Sequence, residues 1–160
     1  MGAPMAANLL KAGFPVVVWN RTPARIEPLL KLGAHPAKSP AHAAAEAQII
    51  ITMVARPADT EAVVLGSEGA AEGLRAGAVV IDCSTVSPST SRALAGGLAA
   101  KQVEFLDAPV VGSKGPAAEG ALVFLVGGLP QTLQRCRPVL EAMGKKIIHA
   151  GGVGDRKSVV

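Results

Sequence analysis

Short runs of aliphatic and β-branched residues alternate along the chain with longer segments whose apolar positions recur at helical spacing. The runs predict strands over residues 15–19, 48–53, 78–82, 103–107, 121–126 and 146–149. The segments between them predict helices over residues 4–12, 23–32, 40–46, 58–64, 88–99 and 130–143. A strand that is apolar at consecutive positions is buried on both faces, and regular alternation with helices supplies the cover. The pattern is that of an α/β fold with a doubly wound parallel sheet. Punctuation agrees with it. Gly13 and Gly33 follow predicted helices, where a left-handed cap favours glycine. Thr22 with Pro23, Ser39 with Pro40, and Ser87 with Pro88 each place a capping hydroxyl before a proline at the first helical position.

The 160 residues suffice for one domain, and neither an internal repeat nor a low-complexity linker divides them. Hydrophobic residues make up 49%, while the aromatic ones are Trp19, Phe14, Phe105 and Phe124. Small side chains permit close packing of helices on a sheet. The net charge of +4 comes from scattered Lys and Arg, with no basic run and no aromatic interleaving, so a nucleic-acid partner is not expected. The longest apolar runs, 48–54 and 121–126, fall far short of the roughly 20 residues of a membrane helix. With no signal-peptide pattern, no membrane partner and a cytoplasmic location are expected. Cys83 and Cys136 match no metal or redox spacing and read as reduced thiols.

The first element departs from the pattern. A doubly wound sheet starts with a strand, and this chain starts with a helix preceded by Met1 and Gly2. In a dinucleotide-binding unit a strand, a G-x-G-x-x-G turn and a helix N-terminus cradle the pyrophosphate. Gly2 would be the third glycine of such a turn, with the first strand missing.

Several motifs then occur in order. Met1-Gly2-Ala3-Pro4-Met5-Ala6-Ala7-Asn8-Leu9-Leu10-Lys11-Ala12-Gly13 resembles the first helix of the β-hydroxyacid dehydrogenases. Trp19-Asn20-Arg21-Thr22-Pro23, Ile51-Thr52-Met53 and Ile81-Asp82-Cys83-Ser84-Thr85-Val86-Ser87-Pro88 resemble three of that family's strand ends. Phe105-Leu106-Asp107-Ala108-Pro109-Val110, Gly127-Gly128 and His149-Ala150-Gly151 extend the likeness to about residue 154. The resemblance implies a Rossmann-type domain that binds a nicotinamide dinucleotide. It also implies hydride transfer between the nicotinamide and a small hydroxy acid or semialdehyde. The intact protein is expected to carry an all-helical C-terminal domain and to form a homo-oligomer. A 6-phosphogluconate dehydrogenase-like enzyme and a catalytically silent nucleotide-binding or scaffold protein of the same fold are the alternatives.

Site residues follow by position. NAD sites usually carry a carboxylate about 20 residues past the glycine turn, for the ribose 2′-hydroxyl, whereas NADP sites have an Arg nearby. Here Asn20-Arg21-Thr22 stands at that place, with Arg25 further on as a second cation. NADP(H) is therefore favoured, with NAD(H) as the alternative. The resemblance assigns Val54 and Ala55 to backbone contacts with the nucleotide and Thr85 to the neighbourhood of the nicotinamide. After Val110 the family has Ser-Gly, a segment that holds the substrate carboxylate. Here Val111 replaces the serine, leaving the amides of Gly112 and Ser113 as donors, with Lys114 beside them in what reads as a solvated loop. The Ser113-Lys114-Gly115-Pro116-Ala117 stretch leans toward the glyoxylate/succinic semialdehyde reductase branch. His35, His42 and His149 read as non-catalytic, and Asp107 as the anchor of the Ala-Pro turn that follows it.

The family's proton donor is a lysine that would fall near position 160, where this chain has valine. No catalytic residue is therefore assigned, and Lys157 is not taken as a shifted donor. Residues 1–154 are expected to form an incomplete dinucleotide-binding domain. Residues 155–160 match what one frame of a common sequencing adapter encodes and are expected to be a non-native tail, and Met1 an internal methionine. Without a strand between residues 15–19 and 48–53, the chain alone is expected to be poorly soluble or molten. A cooperative thermal transition of the purified chain would contradict that.

Overall fold

The computed structural model describes residues 1–155; of the expected tail 155–160, Asp155 is described, and residues 156–160, Lys157 among them, lie outside the described residues. The chain begins with α1 (Gly2–Lys11), β1 (Val17–Val18), a 3-10 turn (Pro23–Ile26), α2 (Glu27–Lys31), β2 (His35–Pro36) and α3 (Pro40–Ala45). Next come β3 (Ile49–Thr52), α4 (Pro57–Leu65), α5 (Ala70–Gly73), β4 (Val79–Asp82) and α6 (Pro88–Ala99). It closes with β5 (Glu104–Asp107), β6 (Val110–Val111), α7 (Lys114–Ala118), β7 (Leu122–Gly127), α8 (Pro130–Met143) and β8 (Gly144–Gly151).

Local chemistry accounts for most of these boundaries. α3, α4, α6 and α8 each open on a proline, whose fixed φ suits the first helical position. Ser39 Oγ accepts the His42 amide at 3.1 Å and Ser87 Oγ accepts the Thr90 amide at 3.2 Å, as expected of caps. Thr22 does not cap. Its own amide donates instead to Asn20 Oδ1 at 2.8 Å, and an Asx turn leads into a 3-10 turn rather than an α-helix. Gly13 and Gly33 take the left-handed conformation expected after helices, with φ of 92° and 104°.

The sheet is mostly parallel. β3, β4 and β5 run parallel, with Ile51 opposite Ile81 and Ile81 opposite Leu106. β7 is the exception, antiparallel to β5 and β6 and parallel to β8. β5 and β6 are one extended segment: Asp107 opposite Gly127, Val110 opposite Phe124 and Val111 opposite Val123 share a single antiparallel register. The Ala108 amide makes the last bond to β4, on the Asp82 carbonyl at 2.7 Å. Pro109, which has no amide proton, then marks the place where the segment leaves β4 for β7.

Alternation fills both faces. Val79, Ile81 and Leu106 pack with Met5, Leu9, Phe124 and Leu140 on one side. Val80 and Phe105 pack with Val64, Leu94 and Leu98 on the other. That is why β4 reads as a continuous apolar run and is buried at every position. β1 and β2 form a separate parallel pair, Val17 opposite His35 and Val18 opposite Pro36. Among the described residues β1 shares no ladder with β3; its pair is held by Val18, Leu29 and Ala34 against Ala6, Ala7 and Leu10 of α1.

Two sheets with separate cores imply uneven stability. Backbone amides of β4 and β5 should exchange with solvent slowest, and those of β1 and β2 at least about tenfold faster. Hydrogen exchange read by mass spectrometry checks this, and equal protection in both sheets would contradict it.

Candidate functional site

The carboxyl ends of β3 and β4 are fixed by a buried carboxylate. Asp82 is 1% exposed, and its Oδ1 accepts from Thr52 Oγ1 at 2.8 Å and from the Ser84 amide at 3.1 Å. Burying a charge is costly unless donors converge on it, and the Thr52 hydroxyl and the Ser84 amide both do so. Ser84 Oγ in turn accepts the Val54 amide at 3.0 Å, so the chain leaving β3 is tied to the chain leaving β4. Val54 is half-buried, whereas Ala55 and Thr85 are exposed on the ledge just beyond. The Val54 amide expected to face a ligand is thus engaged by Ser84. Cys83 lies fully buried beneath, and desolvation followed by the neighbouring Asp82 charge pushes its thiol well above the usual range. Burial likewise pushes Cys136 up to about 11, and neither thiol is a nucleophile at neutral pH.

Gly2 opens α1 against β3: a Cβ there would stand 3.7 Å from Met53 Cβ and 3.9 Å from the Met53 carbonyl oxygen. The positive end of α1 is therefore brought beside the end of β3. At the end of β1, Asn20 is half-buried while Arg21, Thr22 and Arg25 are exposed. Arg21 reaches across to α4, where its Nη1 donates to Asp59 Oδ1 at 3.3 Å. Asp59 also receives two bonds from Arg56, at 2.9 and 3.0 Å. The hydrogen bond from Arg56 holds the Asp59 carboxyl below the usual carboxylate range and raises Arg56 in return. Arg56 and Asp59 lay outside the sequence reading. Their signal, Arg-x-x-Asp at the start of a helix, has an ordinary surface ion pair as its commonest meaning.

On the other side of α1, the expected substrate loop is structured. Gly112 has φ of 139°, and a Cβ would come within 2.9 Å of Leu122 Cδ2 and 3.3 Å of Pro116 Cβ, so glycine is required there. Ser113 and Lys114 are exposed, and Lys114 opens the short helix α7 rather than a loop. Asn8 fastens α7 to α1 through its Nδ2, which donates to the Pro4 carbonyl at 3.1 Å and the Ala117 carbonyl at 2.7 Å. Asp107 is buried, and its Oδ2 accepts the Gly154 amide at 3.2 Å, which links it to the glycine-rich turn after β8. His149 Nε2 donates to the Gly128 carbonyl at 2.9 Å. Among the described residues no three His, Cys, Asp or Glu side chains gather as metal ligands, and no helix is long and apolar enough to cross a membrane.

A mostly parallel sheet covered on both faces, with a helix N-terminus set against a strand's carboxyl end, is the architecture of a Rossmann-type dinucleotide-binding domain. Residues 1–152 match the family model described as the NAD binding domain of 6-phosphogluconate dehydrogenase. The chain is 43% identical over 154 residues to 3-hydroxyisobutyrate dehydrogenase of Pseudomonas aeruginosa, covering 96% of itself and 52% of that protein. It is 39% identical to glyoxylate/succinic semialdehyde reductase 2 of Arabidopsis thaliana, covering 97% of itself and 43% of the relative. The solved structure of Mycobacterium tuberculosis 3-hydroxyisobutyrate dehydrogenase with L-serine superposes with a TM-score of 0.90 at 35% identity. That alignment covers 99% of this chain and 54% of the other. The chain belongs to the β-hydroxyacid dehydrogenase family, as its N-terminal NAD-binding domain. It spans about half the length of the curated relatives it matches, 52% and 43% of the two named above.

The Asp82 network predicts the cost of breaking it. Thr52→Val keeps the shape and removes one donor from a buried carboxylate, which should lower stability by about 1–3 kcal/mol. The loss should appear as reduced exchange protection of the Val79–Asp82 amides. Unchanged protection would mean that Thr52 does not support the carboxylate.

Proposed function

We propose that the protein carrying this domain is an NADP(H)-dependent oxidoreductase acting between a small hydroxy acid and its semialdehyde or keto form. The observation that carries the reading is the guanidinium of Arg21 at the end of β1, where an NAD-specific domain would usually present a carboxylate. The residues present suit the cofactor. The N-terminus of α1 offers backbone N–H groups and a positive dipole end to a pyrophosphate, with Gly2 at its start. Asn20, Arg21, Thr22 and Arg25 lie on the adenosine side, and Arg21 and Thr22 have the donors that a 2′-phosphate requires. Val54 and Ala55 would line the nucleotide on one side and Thr85 the nicotinamide end. When bound, the cofactor supplies or accepts a hydride at its nicotinamide.

The chain's own residues would bind and orient. The Gly112 and Ser113 amides would hold the substrate carboxylate, with Val111 withholding the hydroxyl that serine supplies elsewhere in the family. Asn8 would keep that loop in step with the pyrophosphate helix, because one amide joins α1 to α7. Proton delivery to the carbonyl oxygen is assigned to no residue of this chain, so the chain alone is proposed to be inactive. The Ser113–Ala117 stretch supports the semialdehyde reductase branch over a phosphogluconate substrate. A homo-oligomer closed by the all-helical C-terminal domain is part of the same proposal.

Arg21→Asp tests the reading. The variant should bind NADPH at least about tenfold more weakly than the parent while NADH binding changes little. Titration followed by reduced-nicotinamide fluorescence measures both, and equal NADPH affinity in parent and variant would overturn the NADP(H) assignment.

A further inference from the structure

Arg21 does not stand free at the mouth of the proposed site. Its guanidinium is held 3.3 Å from Asp59 Oδ1, across the gap between the end of β1 and the start of α4. The same carboxylate takes both bonds from Arg56 at 2.9 and 3.0 Å. Two guanidiniums therefore converge on one carboxylate, and Arg21 and Arg56 remain 75% and 67% exposed, open to a ligand from the solvent side. The carboxylate is much less exposed, at 19%, and stays ionised through the neutral range because its two partners favour the charged form. Asp59 also sits in the first turn of α4, where the helix dipole favours a negative charge.

We propose that Asp59 is the residue that sets cofactor preference at this site, acting as an internal competitor for the 2′-phosphate. The inference rests on the reading that Arg21 marks the adenosine end of a dinucleotide site. A 2′-phosphate carries up to about two negative charges and seeks planar donors in pairs. Here those donors are already engaged by a carboxylate, which a phosphate must displace from Arg21 or approach against repulsion. A ribose 2′-hydroxyl meets the opposite situation, since an ionised carboxylate accepts a hydrogen bond from it. The carboxylate that sequence position denies to the end of β1 is thus supplied from α4, 38 residues away from Arg21. One cluster then serves both cofactors: Arg21 and Arg56 attract the phosphate, and Asp59 restrains that attraction and serves the hydroxyl.

The test uses the full-length protein that carries this domain and two small probes, adenosine 2′,5′-bisphosphate and 5′-AMP, titrated by calorimetry or NMR at low salt. Asp59→Asn removes the charge and keeps the size; Asp59→Glu keeps the charge. The ratio of bisphosphate to 5′-AMP affinity should rise by about tenfold in Asp59→Asn and move little in Asp59→Glu. The gain should shrink as salt is added, as an exposed charge effect must. If both probes bind and the ratio is the same in the parent and Asp59→Asn, the inference fails. The Arg21 reading would then survive provided Arg21→Ala lowers the ratio. If the parent binds neither probe, the nucleotide reading itself fails and takes this inference with it.

Discussion

Asp82 ends β4 as a buried carboxylate, and its Oδ1 is met by groups from the two strand ends from which the candidate site is built. Thr52 brings its hydroxyl from the last position of β3, and Ser84 brings its amide from just beyond β4. Such a charge is tolerated only where fixed donors meet it, so each donor position is constrained as strongly as the carboxylate. The constraint propagates outward. Ser84, held by its amide, presents its own Oγ to Val54, and the two chains therefore leave the sheet in register. Ala55, Arg56 and Thr85 are exposed because the residues before them are anchored. An apolar residue at position 82 could fill the space but would give Thr52 and Ser84 nothing to aim at.

α1 carries the second constraint. Its buried face, Met5 and Leu9, belongs to the main core, while Ala6, Ala7 and Leu10 cover the β1–β2 pair. Small side chains on that flank let the smaller sheet approach closely. Asn8 faces α7 and makes its bonds to backbone carbonyls, an attachment less sensitive to the identity of the residues it grips. One ten-residue helix thereby positions the strand ends on one side and the Gly112 loop on the other.

The larger elements were legible because their signals are local and repeated. Apolar runs bounded by Gly and Pro gave β3, β4, β5, β7 and β8, and serine before proline gave the starts of α3 and α6. What escaped was short or non-local. β2 is His35–Pro36, two exposed residues without a strand pattern, made a strand by bonds to Val16 and Val18. α5 and α7 span four and five residues, too few for any periodicity to register. The reversed direction of β7 cannot be read from composition, because an apolar run buried on both faces looks alike in either direction. The bond from the Gly154 amide to Asp107, 47 residues away, has no counterpart in the local turn pattern by which Asp107 was read.

The cation cluster shows the same limit in chemical terms. Position along the chain made Arg25 the natural second cation, on the assumption that Thr22-Pro23 opens an α-helix. Asn20 takes the Thr22 amide, and Pro23–Ile26 winds as a 3-10 turn. Side chains along such a turn follow a three-residue repeat in place of the α-helical one, and Arg25 is exposed there as Arg21 and Thr22 are. Arg21 instead finds its partner through the tertiary fold, and that partner is a carboxylate already shared with Arg56. A formal charge of +4 spread over 160 residues says nothing of this arrangement. Folding sets two guanidiniums around one acid at the rim, and under the proposal above the balance among the three, rather than the count of cations, would set how strongly a phosphate is drawn there.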